Sequence, residues 1–359
     1  MTHSISNLFQ YIMGDPVWSS RLGCYKIAQS SMPKNSPMNV SFLDGIVKKY
    51  ADIGLPIKEK IKTILSLDKL YWVCFLSPNI SKDDEQVYEI AIKGLLWGYV
   101  VDDYFDDHME FYSQENIEST VKQVKRINDI FQMKKSITKN DTKTLVEMLT
   151  WDLVYTLKSY TSQNPVLYNS IFQNFLQKCI EYTNSFISFN MYKNIQEKNF
   201  YTWLSLRKLN GGAANLFVLS FLCTCYPSED TIISKNIFNC MNFNQMVEKY
   251  AEVMVLLNDL ASYDKDMMLG QMEANPVYFL QRCNKISKQD AQEKVMKLIL
   301  ESMSEIIELE KELSFDFRDS LCVDQLFKDL SWLLFGLMTW GPQHYSQPPS
   351  AASARSVEE

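Results

Sequence analysis

Two stretches of the chain carry side chains whose types and spacing could do chemistry. The first is Asp102-Asp103-Tyr104-Phe105-Asp106-Asp107, which closes the apolar run Gly94 to Val101. Residues four apart share one face of a helix, so Asp102 and Asp106 project together at the end of a segment that otherwise favours burial. Two such carboxylates repel each other unless a cation lies between them. Oxygen donors without cysteine or histidine suit Mg²⁺, which keeps several waters and binds through one or two carboxylates and substrate phosphates. A magnesium–diphosphate site is one reading of the cluster, and a solvated helix end is the other.

The second stretch is Asn258-Asp259-Leu260-Ala261-Ser262-Tyr263-Asp264-Lys265-Asp266. Asn258, Ser262 and Asp266 are spaced by four and four, so they drift little around a helix and form one stripe of oxygen donors. An amide carbonyl, a hydroxyl and a carboxylate so arranged can converge on one hard cation and leave its other positions for water and phosphate. Asn and Ser compete with the helix backbone, and their presence on the inward stripe of an apolar helix needs a reason. Hydrogen bonds to neighbouring helices are the structural alternative.

The elements that must position these stretches are helical nearly throughout. Apolar residues recur at helical period in the segments Phe42–Tyr50, Ile57–Leu76, Lys82–Asp107, Glu115–Met133 and Asp141–Tyr160, then from Pro165 through an aromatic-rich stretch to Asn194. Phe200–Leu209 and Ala213–Tyr226 flank Asn210-Gly211-Gly212; Ile237–Met268 reads as one long helix, followed by Pro276–Cys283, Lys288–Leu313 and Val323–Trp340, the last stopped by Gly341-Pro342. No useful β-alternation and no repeat occurs. The expected fold is therefore all-α: a single-domain bundle of about ten or more helices around a central cavity, spanning residues 1–345, with 1–40 as an N-terminal arm holding at most short helix and 346–359 as a disordered tail.

The 359 residues are 46% hydrophobic and carry a net charge of −7, enough for a large core and the wrong sign for a nucleic-acid groove. Eight cysteines lack paired metal spacing and read as reduced core thiols. No apolar run approaches membrane-spanning length and no leader is evident, so a cytoplasmic protein without stable membrane insertion is expected. The residues leave the oligomeric state open, a homodimer included.

Asp102-Asp103-x-x-Asp106 followed by Asn258-Asp259-x-x-Ser262-x-x-Lys265-Asp266 resembles the two metal motifs of class I terpene synthases of the compact microbial type, in motif order, length and helix order from about residue 40 to 345. The resemblance implies Mg²⁺ ions, three per site, held by Asp102, Asp103 and Asp106 on one wall and by Asn258, Ser262 and Asp266 on the other. It implies that Arg207 senses diphosphate, Asn210 links, Gly211 turns a carbonyl toward the ionising carbon and Lys265 contacts diphosphate. Two positions depart from the family pattern: Asp266 stands where glutamate is usual, and His344-Tyr345 is the nearest match to an Arg-Tyr pair that closes over the diphosphate.

The activity so implied is ionisation of an acyclic prenyl diphosphate and cyclisation of the carbocation. Farnesyl diphosphate is the expected substrate and geranylgeranyl diphosphate the alternative. Aromatic faces stabilise cations, and Phe75, Trp97, Phe186, Phe189, Phe217, Trp332 and Trp340 are the candidates to line the pocket. A chain-elongating prenyl diphosphate synthase would carry a second aspartate-rich motif in place of Asn258, Ser262 and Asp266, and a protonation-initiated cyclase an Asp-x-Asp-Asp string; neither is seen. A non-catalytic helical lipid-binding protein would make both motifs coincidental.

Overall fold

In the computed structural model the described residues are 12–31, 85–108, 114–134, 137–163, 165–193, 199–225, 237–268, 270, 272–318 and 320–345. They form helices joined by turns, with three short 3₁₀ turns and no strand among them. In chain order the helices are α1 (Pro16–Ser31), α2 (Glu85–His108), α3 (Gln114–Phe131), α4 (Leu145–Gln163), α5 (Pro165–Lys193), α6 (Phe200–Asn210), α7 (Ala213–Cys225), α8 (Met241–Met268), α9 (Pro276–Asn284), α10 (Lys288–Asp316) and α11 (Leu321–Tyr345).

The chain marks many of these boundaries. The Asn199 side chain accepts the Tyr201 and Thr202 N–H groups to start α6, Asn275 accepts that of Val277 ahead of Pro276 to start α9, and Ser287 accepts that of Asp290 to start α10. Lys285 adopts a left-handed φ of 52° where α9 ends.

Helix α8 lies at the centre. Every residue from Tyr250 to Leu257 is buried, as expected of a helix covered on all sides. It packs on α6, α7, α9, α10 and α11, while α7 in turn touches α2, α5, α8 and α11. Helix α2 packs instead on α4 and α7. Its buried Lys93 Nζ lies 2.8 Å from Asp152, 2.6 Å from Glu89 and 2.8 Å from Thr156 Oγ1. The Trp97 indole N–H donates to Thr150 Oγ1 at 2.9 Å. These bonds tie the rotation of α2 to α4 and so fix the face on which Asp102 stands.

Four boundaries differ from the sequence expectation. The N-terminal arm contains α1, a 16-residue helix rather than a short one, capped by Asp15 Oδ1, which accepts the Val17 and Trp18 N–H groups at 2.9 and 3.0 Å. Arg21 of α1 pairs with both oxygens of buried Glu310, at 3.0 and 2.6 Å, and donates to Ser331 Oγ at 3.0 Å; Tyr250 donates to Glu310 at 2.7 Å. Burial pushes the Glu310 carboxyl up, against the pull of Arg21.

Residues 237–239 form a 3₁₀ turn, so α8 begins only at Met241, and 139–141 form another before α4 begins at Leu145. Helix α11 runs through Gly341-Pro342 to Tyr345, where proline forfeits a single i→i−4 bond in the last turn. Cys179 is buried as expected, but Cys24 and Cys283 are exposed. The expected helices within 42–76 lie outside the described residues.

Candidate active site

A cavity opens between α2, α5, α7, α8 and α11, and Asp102 of α2 and Asn258 of α8 both line it. The two motifs, distant in sequence, thus reach the same space from two helices that α7 holds apart. Asp102 is half-buried and accepts the Tyr182 hydroxyl of α5 at 3.2 Å. The side chains of Asp103 and Asp106 lie outside the described residues.

Along α8, Ser262 and Asp266 are both buried and bond to each other rather than lining the described cavity. The Ser262 hydroxyl donates to Asp266 Oδ2 at 2.7 Å, so its lone pairs stay available to a cation. Asn275 Nδ2 donates to the same oxygen at 2.9 Å, and also to the Asp259 backbone carbonyl at 2.7 Å. The two side-chain bonds load Asp266 Oδ2 and leave Oδ1 for other partners; Lys265 Nζ stands 3.9 Å from it. The Asp266 carboxylate is thus clamped through one oxygen from two sides. No cluster of three His, Cys, Asp or Glu side chains occurs among the described residues. The oxygen set of Asn258, Ser262, Asp266 and Asp102 nevertheless fits a hard cation such as Mg²⁺ in its donor chemistry.

Arg207 also lines the cavity, from the last turn of α6. Its Nε and Nη2 donate to the two carboxylate oxygens of Asp259 at 3.0 and 2.7 Å, and Nη1 donates to Asn210 Oδ1 at 3.1 Å. Asp259 is 1% exposed. Its burial pushes the carboxyl pKa up, with Arg207 the chief opposing influence. The second residue of the Asn258 motif therefore holds the arginine, a fork-to-fork pairing that fixes the guanidinium plane.

The break between α6 and α7 is built where only glycine fits. A Cβ on Gly211 would fall 2.3 Å from Val255 Cγ2 of α8, and Gly212 has φ +63° with Tyr182 ring atoms 3.1 Å from where its Cβ would stand. Gly211, Gly212 and Tyr182 all border the cavity.

Of the aromatic residues expected in the pocket, Trp97 lines it. Phe186, Phe189, Phe217 and Trp332 are buried but absent from the described wall. Phe186 stacks on Phe105, Phe189 tilts against Trp203, Phe217 packs on Tyr250 and Trp332 meets Tyr25 edge-on. Tyr99, Phe175 and Tyr182 take their place on the wall. Phe75 lies outside the described residues; Trp340, His344 and Tyr345 sit on α11 with side chains outside them.

Sequence reasoning missed Tyr182 and Asn275 as site residues. The Asn275-Pro276 pair signals a helix start, but the bond to Asp266 crosses from one helix to the next and leaves no mark in spacing.

Comparison with known proteins meets this geometry from outside. Terpene synthase 1 of Tieghemostelium lacteum is 25% identical over 321 residues, covering 86% of this chain and 83% of that one. Terpene synthase 1 of Dictyostelium purpureum is 23% identical over 331 residues, covering 88% and 80%. Among solved structures, hedycaryol synthase in complex with nerolidol superposes with a TM-score of 0.61 at 13% identity, over 86% of this chain and 96% of that one. A linalool/nerolidol synthase from Streptomyces clavuligerus does so at 0.62 and 14%, over 84% and 94%. These last two share the all-α fold. The model of terpene synthase family 2, C-terminal metal binding, matches residues 93–305, from Lys93 on the first-motif helix to beyond the Asn258 motif, and the chain belongs to that family.

Proposed function

We propose that the protein is a magnesium-dependent terpene synthase that ionises farnesyl diphosphate and cyclises the carbocation to a sesquiterpene, releasing diphosphate. The observation that carries this reading is the presence of Asp102 and Asn258 on one cavity. Asp102, Asp103 and Asp106 would hold Mg²⁺ from one wall and Asn258, Ser262 and Asp266 from the other. When bound, the metal neutralises the diphosphate and stabilises it as a leaving group.

The chain's own residues do the rest. Arg207, already oriented by Asp259 and Asn210, offers its guanidinium to the diphosphate without reorganising. Lys265 adds a second positive charge beside Asp266, and by the family resemblance His344 and Tyr345, at the end of α11, would close over the diphosphate. Gly211 brings backbone close to the ionising carbon at a place where a side chain would collide with Val255. Leu95, Leu216, Leu219, Met254 and Leu337 keep bulk water from the cation, and Trp97, Tyr99, Phe175 and Tyr182 provide aromatic faces. The neighbour named for hedycaryol and holding nerolidol, both fifteen-carbon compounds, supports the farnesyl chain length, while the linalool/nerolidol synthase is named for a ten-carbon compound as well.

The test is incubation of purified protein with Mg²⁺ and, separately, geranyl, farnesyl and geranylgeranyl diphosphate, with assay of diphosphate release and of volatile products. Farnesyl diphosphate should turn over fastest, and a chelator should abolish turnover. A longer prenyl diphosphate as product, or no release from any substrate, would overturn the proposal.

A further inference from the structure

Most polar groups on the cavity wall are occupied. Asp102 accepts from Tyr182, and Arg207 is held by Asp259 and Asn210. Asn215 of α7 is different. It lines the cavity, is 6% exposed, and its side-chain amide makes no hydrogen bond among the described residues. Only its backbone N–H is engaged beyond its own helix ladder, to the Gly212 carbonyl at 3.2 Å. Its amide atoms are not sealed off but open onto the cavity, so the partner they need must come from inside it.

Its place on the wall says what the amide meets. Asn215 and Leu219 are four apart on α7 and both border the cavity, so they share the helix face that follows the Gly211-Gly212 break. Asn215 lies in the first turn of α7, and Leu219 stands about 6 Å further along the helix at 1.5 Å of rise per residue. If the ionising carbon sits at the break, this face of α7 runs on from it beside the hydrocarbon chain. The same wall carries the apolar Leu216, Leu219, Met254 and Leu337, and its polar Asp102, Tyr182 and Arg207 are engaged with one another or with residues other than Asn215. The amide needs a small ligand that both donates and accepts, and in a narrow cavity that ligand is water.

We propose that Asn215 holds a water molecule in the cavity and presents it to the terpenyl cation, so that the product is a terpene alcohol. The inference rests on the function proposed above. The allylic C–O bond breaks with its electron pair leaving on diphosphate, and the cation rearranges. A lone pair of the held water forms the new C–O bond, and the resulting oxonium gives its proton to the diphosphate anion. The Asn215 carbonyl, accepting a hydrogen bond from the water, fixes which lone pair faces the carbon. Water held on one side attacks one face, so the alcohol is a single enantiomer.

The experiment is turnover of farnesyl diphosphate with Mg²⁺ in H₂¹⁸O, reading diphosphate release, the labelled alcohol fraction and its enantiomeric composition. Wild type should give mainly a labelled alcohol of one hand. Asn215→Leu should still release diphosphate while the labelled fraction falls at least tenfold and hydrocarbon replaces it. Asn215→Ser, which keeps a hydroxyl and removes bulk, should retain part of the alcohol and stands in if the leucine variant does not fold. Diphosphate release with only hydrocarbon from wild type, a racemic alcohol, or an unchanged labelled fraction in both variants would overturn the role of Asn215 and leave the enzyme assignment standing. Absence of diphosphate release from wild type would overturn the assignment itself and this inference with it.

Discussion

Replacing Asn275 should reveal how far the second motif depends on a residue outside it. Asn275 is fully buried and its amide makes three bonds: to Asp266 Oδ2 at 2.9 Å, to the Asp259 carbonyl at 2.7 Å, and from the Val277 N–H at 3.0 Å. Loss of the helix cap costs about 1 kcal/mol. Loss of a donor to a buried carboxylate costs about 1.5–3 kcal/mol. The Asp259 carbonyl sits inside a helix whose own ladder satisfies it, so its loss adds little. Asn275→Ala should therefore lower stability by about 2.5–4 kcal/mol on these figures. Asn275→Ser keeps a capping oxygen but is too short to reach Asp266, and should recover about 1 kcal/mol of that.

Denaturant unfolding measures the stability change, and diphosphate release against Mg²⁺ concentration measures the site. The half-saturating Mg²⁺ should rise about 10- to 100-fold in both variants, as expected when a group orienting a metal-binding side chain is removed, with much of the rate restored at high Mg²⁺. Destabilised variants with wild-type Mg²⁺ dependence would show that Asn275 only caps α9, and the reasoning about Asp266 would be refuted.

Three other outcomes follow from separate parts of the structure. Gly211→Ala should cost about 1–3 kcal/mol by forcing a methyl group into Val255 Cγ2, and Gly211→Ala with Val255→Ala should be more stable than the two separate losses add up to, as read by a double-mutant cycle in urea. Arg21→Met leaves Glu310, whose side chain is 4% exposed, without its counter-charge; the expected cost is about 3–5 kcal/mol, and Arg21→Met with Glu310→Gln should recover part of it in the same unfolding assay. Arg207→Lys keeps the charge but not the fork that grips Asp259, so the rate of diphosphate release should fall at least tenfold while circular dichroism still reports a folded helical protein.

The helical period and the two oxygen-bearing stripes were legible in the chain because both are local: they depend on residues three and four apart. The all-α fold followed from them, and so did the expectation that Asp102 and Asn258 share a space, once the resemblance supplied the relation between distant helices. What spacing could not give was rotation. Phe186, Phe189, Phe217 and Trp332 have the right period to be buried, but whether a buried ring faces a cavity or another ring depends on how each helix turns against its neighbours.

Helix α1 had signals that were available, Asp15 ahead of Pro16 and Trp18, Leu22 and Tyr25 at helical spacing, yet Pro16, Pro33 and Pro37 punctuate the arm and argued against it. The partner of Arg21 is nearly three hundred residues away, and only the folded chain joins them. Tyr182 and Asn275 were hidden for the same reason, since each acts on a site residue of another helix or beyond a turn.

The most direct measurement of whether the two motifs grip one ligand is calorimetric titration of inorganic diphosphate into the protein with and without Mg²⁺. Binding should require Mg²⁺ in wild type and weaken at least a hundredfold in both Asp102→Ala and Asn258→Ala, with each variant still folded. Tight binding in the absence of Mg²⁺, or wild-type affinity in either variant, would contradict the account.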